Sequence, residues 1–192
     1  MTNTQYKLAE AEFFLGLMKQ NRGKFNHFNF CLSAFSSAAR SVLHVMEREY
    51  KRTVPGWTAW SKKKGDDRTD EEKTLKDLFT DMRDNTVHEG RLNARALYKV
   101  KFSTEDEHRL KTNPPIGRLL FSLNGRMENS RLQVLNEKGE RTVFPFVKVT
   151  QLRRHVKECP DKDVLEVCQR SYNFLTAHVK ECTEKFGIPV KS

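Results

Sequence analysis

The 192-residue sequence has no apolar run near the length that spans a bilayer. That excludes an ordinary membrane helix. Residues 1–20 are too helical in pattern and too acidic for a signal peptide. The four cysteines, Cys31, Cys159, Cys168 and Cys182, contain no Cys-x-x-Cys pair. They read as reduced thiols of a cytoplasmic protein rather than a disulfide framework. Acidic residues are outnumbered: 35 Lys and Arg face 25 Asp and Glu, a formal net charge of +10. The surplus favours a polyanionic partner, with nucleic acid the first candidate. A basic surface that merely aids solubility is the alternative.

Apolar spacing predicts three long helices. Leu8, Ala11, Leu15 and Met18 share a face over Tyr6–Gln20. Phe28, Leu32, Phe35, Ala39, Val42 and Met46 make a stripe over 26–50, long enough for the main strut of a bundle. Val164, Leu165, Cys168, Tyr172, Leu175, Val179, Cys182 and Phe186 make another over 161–186, ended by Gly187 and Pro189. Residues 51–61 lack helical periodicity and read as a turn around Pro55-Gly56. Trp57 and Trp60 lie there among basic residues, either stacking on unpaired bases or covering the bundle edge. Between 97 and 150 the pattern alternates instead. Strands are expected at 97–102, 118–123, 130–135 and 141–149, with Asn124-Gly125 as a hairpin signal. Pro145 places the last of these at an edge or on a bulge. The fold class is therefore mainly α: an up-down helical bundle (1–96 and 161–187) with a small antiparallel β-meander inserted before the last helix, all within one domain of 1–192.

The stretch Glu71–Gly90 carries the chemistry. Leu75, Leu78, Phe79 and Met82 mark a buried stripe, and Thr69 with Glu72 fits a capping box. Arg83 and His88 follow at the C-terminal end. Histidine exchanges protons near neutral pH, and arginine presents a charged fork suited to phosphate oxygens. Together they suit cleavage of a phosphodiester without metal or cofactor, the nucleophile in RNA being its own 2′-hydroxyl. Five residues along a regular helix leave the two side chains about 140° apart, so convergence requires a kink or unwinding near 85–87. The plainer alternative is a His that complements the helix dipole and an Arg that snorkels.

The run Arg83-Asp84-Asn85-Thr86-Val87-His88-Glu89-Gly90 resembles the signature of the HEPN family, small α-helical proteins that include metal-independent RNases of bacterial defence and toxin systems. The resemblance covers roughly residues 5–90 plus the last helix. It implies a helical bundle, catalysis by Arg83 and His88 with Asp84 and Asn85 in support, and a homodimer in which both Arg83/His88 sets line one cleft. It also implies RNA as substrate, 2′,3′-cyclic phosphate ends, and control by an antitoxin or a phage-derived partner. The chain departs from the pattern at Gly90. Members paired with a nucleotidyltransferase antitoxin often carry a Tyr there, so control by modifying that Tyr is in doubt.

Other candidates lie outside the motif. Arg40 and His44 share one face of the second helix, either solvated or bordering the cleft as a further phosphate contact. Lys62, Lys63 and Lys64 are further candidate RNA contacts. His-Val-Lys-Glu-Cys occurs at both 155–159 and 178–182, and each copy could supply half of a Cys₂His₂ zinc site. One helix over 161–186 separates the copies by roughly 25 Å, so they meet only if the chain before Pro160 doubles back. Three functional readings remain open: a metal-independent endoribonuclease, a non-catalytic basic module that binds RNA or a partner protein as sensor or adaptor, and a zinc-bound adaptor.

Overall fold

The computed structural model describes residues 1–89, 94–112, 119–122, 130–135, 141–157 and 159–188. It is mainly helical, with one small sheet. The elements are α1 (Asn3–Gln20), α2 (Phe25–Tyr50), α3 (Trp57–Asp66), α4 (Asp70–Glu89), β1 (Arg95–Lys101), α5 (Thr104–Thr112), β2 (Leu119–Ser122), β3 (Ser130–Leu135), β4 (Arg141–His155) and α6 (Val164–Phe186). The chain divides into two compact units, Met1–Arg95 with Arg154–Ser192, and Ala96–Arg153. The expected insertion at 97–150 corresponds to the second unit. None of the described helices is long and apolar enough to cross a membrane.

The first unit is the helical bundle. Ala11, Leu15 and Met18 of α1 join Phe28, Leu32, Phe35, Val42 and Met46 of α2 in one core. Leu75, Leu78, Phe79 and Met82 of α4 and Val164, Cys168, Leu175 and Cys182 of α6 complete it. The periodic stripes are therefore the packed faces, because burial of apolar area is what orients an amphipathic helix. Phe35 and Phe79 meet edge to face at 5.5 Å and tie α2 to α4.

Caps fix the helix ends. Thr2 and Gln5 form a capping box on α1. Glu49, near the end of α2, reaches back to the same terminus. Its carboxylate accepts from the Asn3 N–H (3.0 Å), the Thr4 N–H (2.9 Å) and the Thr4 hydroxyl (2.7 Å). A carboxylate on orphan N–H groups also complements the helix dipole. Glu49→Ala is expected to destabilise the protein by about 1–2 kcal/mol. Urea unfolding of the two proteins at neutral pH checks this; equal midpoints would show that the contact contributes nothing. The expected Thr69/Glu72 box on α4 is also present, with both reciprocal bonds made (2.8 and 3.2 Å).

Two expectations are corrected in this unit. Residues 51–61 were expected to be irregular, yet α3 begins at Trp57. Gly56 supplies a left-handed residue (φ 77°) that turns the chain into the helix. Trp57 and Trp60, three residues apart, are only 4% and 7% exposed. Trp60 stacks on His178 at 5.1 Å and meets Phe186 edge-on at 5.7 Å. Packing on α6 thus makes a helix that the short, lysine-rich segment does not announce by itself. It also decides the role of the Trp pair, which covers the bundle edge rather than facing bases. The second concerns the helix end near 85–87 that would let Arg83 and His88 converge: α4 continues to Glu89.

The second unit holds the sheet, in the order β1-β4-β3-β2. β2 pairs antiparallel with β3, and β3 antiparallel with β4. The meander expected from the sequence is β2-β3-β4, and β1 lies on the other side of β4. β4 lies between β1 and β3. A bulge falls at Pro145. Ser130 pairs with Val147 and Leu132 with Phe144, so β4 spends one residue more than β3 across Pro145. An extra residue there leaves the missing N–H out of the ladder. Phe102 meets Phe144 edge to face at 5.7 Å within this unit. The hairpin at Asn124-Gly125 lies outside the described residues.

Candidate functional site

A cleft of ≈ 680 Å³ opens in the bundle between α2, α3, α4 and α6. Its charged lining is mostly basic: Arg40 from α2, Arg68 from the turn before α4, and Lys76 and Arg83 from α4. Among the described residues Glu47 is the one acidic residue on this wall. Two histidines also line it, His44 from α2 and His178 from α6. Hydroxyls of Ser37, Ser41, Ser61, Thr80 and Ser171 fill the space between.

Sequence logic explains why these side chains share a wall. Lys76, Thr80 and Arg83 recur at four and three residues along α4 and so stand one above another. They flank the apolar stripe that packs on α2. On α2, Ser37, Arg40, Ser41 and His44 occupy the border of the buried face. Small side chains at 37 and 41 leave room for the cleft. The side chains of Arg40 and His44 are exposed, and both line this cleft.

The guanidinium of Arg83 is part-exposed and donates to Asp84 at 3.0 Å. Asp84 therefore neutralises and orients the Arg beside it. Asn85 and His88 lie in α4, but their side chains fall outside the described residues. With α4 unbroken, the Cα–Cβ directions at 83 and 88 differ by about 140° within one chain. The structure thus brings Arg83 together with Arg40 and His44. Lys62 and Lys63 are exposed on α3 and do not line the cleft. Lys64 is turned to α6, where its ammonium pairs with Glu181 at 2.7 Å.

His178 differs from the others. It is 8% exposed, stacked between Trp60 (5.1 Å) and Phe174 (5.9 Å). Burial, reinforced by the Arg68 charge, pushes its pKa down to about 4. It is therefore a neutral imidazole at neutral pH. Among the described residues no group of three His, Cys, Asp or Glu side chains gathers to hold a metal. Burial raises the thiol pKa of both Cys168 and Cys182, which opposes the thiolate a metal requires.

Arg68, Lys76 and His178 escaped the reading of the motif. Lys76 was findable, seven residues and two turns ahead of Arg83 on one helix face. Arg68 had no signal, because a turn residue acquires its neighbours only in the fold. Comparison of the chain with protein families, curated proteins and solved structures gives no match.

Proposed function

We propose that the protein is a metal-independent endoribonuclease of the HEPN type, acting in bacterial anti-phage defence or as the toxin of a toxin-antitoxin system. The observation that carries the reading is the convergence of Arg83 with Arg40 and His44 in one basic cleft of a helical bundle. In this mechanism the 2′-hydroxyl attacks the adjacent phosphorus. His88 handles the proton, and Arg83 stabilises the charge that grows on the phosphoryl oxygens. Asp84 holds the Arg83 fork, and Asn85 contacts ribose or the reacting pair. Arg40 binds a neighbouring phosphate. Positions 83 and 88 lie about 140° apart around the continuous α4 of one protomer. Pairing two protomers, so that both sets line a shared cleft, supplies the second half of each constellation.

The test is incubation of the pure protein with mixed cellular RNA in EDTA. Cleavage leaving 2′,3′-cyclic phosphate ends is expected, with a mass in solution of two chains. Intact RNA under these conditions and with magnesium restored would count against catalysis. The unbroken α4 favours a second reading, a non-catalytic HEPN-like module that binds RNA or a protein partner. It requires salt-dependent RNA retention without cleavage.

A further inference from the structure

The basic charge of the cleft extends well beyond the Arg83 end. Arg68 precedes Thr69, whose side chain caps α4, and Lys76 and Arg83 follow along that helix. From position 68 to position 83 the chain advances roughly 22 Å at helical rise. All three side chains, and Arg40 across from them, line the same cleft.

Asp66 and Asp67 precede Arg68, and of the acidic residues that follow it three have partners of their own. Glu72 accepts from the Thr69 N–H, Glu71 pairs with Arg170, and Asp70 lies beside Lys73. Among the described residues Arg40, Arg68 and Lys76 make no ion pair. The Arg68 Nε–H is buried and lacks a hydrogen-bond acceptor. His178 beside it is neutral and offers no counter-charge. A planar guanidinium with an ammonium nearby suits phosphate oxygens. The cleft volume lies in the range of small-molecule pockets.

We propose that Arg68 and Lys76 form a second phosphate subsite that holds an unpaired RNA strand beyond the phosphates bound at Arg83 and Arg40. The subsite rests on the reading of the cleft as an RNA site, and it makes strand length a determinant of recognition. A short oligonucleotide engages the Arg83 end alone. A longer one is anchored at both ends.

The test uses the full chain and oligoribonucleotides methylated at every 2′-oxygen, which bind without the hydroxyl needed for cleavage. Lengths run from dinucleotide to octanucleotide, and fluorescence anisotropy is read across a salt titration. Wild-type affinity is expected to rise with length and then level off. Arg68→Ala is expected to weaken octanucleotide binding about tenfold. Its salt slope should fall by about 0.7, the value of one lost phosphate contact on a single strand. Dinucleotide binding should stay unchanged. Arg68→Lys should restore the slope but not the full affinity. Lys76→Ala, at an exposed position, should repeat the length-selective loss without any packing defect, and thermal melting confirms that each variant is folded. Octanucleotide affinity and slope at wild-type values in both alanine variants would overturn the subsite while leaving the RNA reading intact. An equal loss at every length would also overturn it. Absence of binding by the wild type at all lengths would overturn the RNA reading itself.

Discussion

His88→Ala is expected to lower the rate of RNA cleavage by roughly two to four orders of magnitude, the usual worth of a positioned general acid or base. Arg83→Ala should cost roughly 10²–10³, as loss of a donor aimed at developing charge does. Arg83→Lys should rescue little. An ammonium keeps the charge but cannot present two parallel N–H groups to a phosphoryl group. The fold should survive the change at Arg83. Its side chain is part-exposed, and among the described residues its ion pair is with Asp84, the next residue of the same helix. The informative measurement is single-turnover cleavage in EDTA, with melting temperatures recorded in parallel. Cleavage at the wild-type rate in His88→Ala would remove His88 from the mechanism. Cleavage lost by His88→Ala and recovered by mixing it with Arg83→Ala would assign the two groups to different protomers.

The second large effect is on stability rather than rate. His178 is held down to about 4 in the fold by burial first and the Arg68 charge second. In the unfolded chain an ordinary histidine titrates near 6.5. Between those values the unfolded chain binds a proton that the folded chain refuses. Stability therefore rises with pH across this window. The contribution of the neutral imidazole is fully present above about 6.5 and is lost as the pH falls to about 4, a change of roughly 3 kcal/mol. His178→Phe keeps a ring between Trp60 and Phe174 but cannot titrate. Urea unfolding at pH 7 and pH 4.5 should show a smaller acid-induced loss in this variant than in the wild type. Equal losses would place the acid sensitivity in the carboxylates, such as Glu181 beside Lys64, whose pKa is lowered chiefly by that hydrogen bond.

Much of the bundle was legible before any coordinates. The stripes on α1, α2, α4 and α6 are regular because each helix has one buried side, and a period near 3.6 reports that directly. The Thr69/Glu72 box was legible for the same kind of reason: its partners are three residues apart, so local geometry alone joins them. The α3 segment was not legible. Ten residues cannot carry a helix by propensity, and what stabilises it is the contact of Trp57 and Trp60 with a helix more than a hundred residues later. Pro145 was read as a disturbance of the ladder. Which disturbance it causes depends on where β1 docks, and a strand segment does not encode its neighbours.

The site divides along the same line. The motif residues Arg83, Asp84 and His88 and the spacing problem between them belong to the sequence, since they depend only on residue type and helical pitch. That Arg40, His44, Arg68, Lys76 and Arg83 share one cleft belongs to the tertiary structure. So does the diversion of Lys64 to Glu181 and the neutral state of His178. The reason is physical. A helix face is set by neighbours three and four residues away, whereas a cleft, its field and the proton affinity inside it arise from groups that only the packing of distant segments brings within reach of one another.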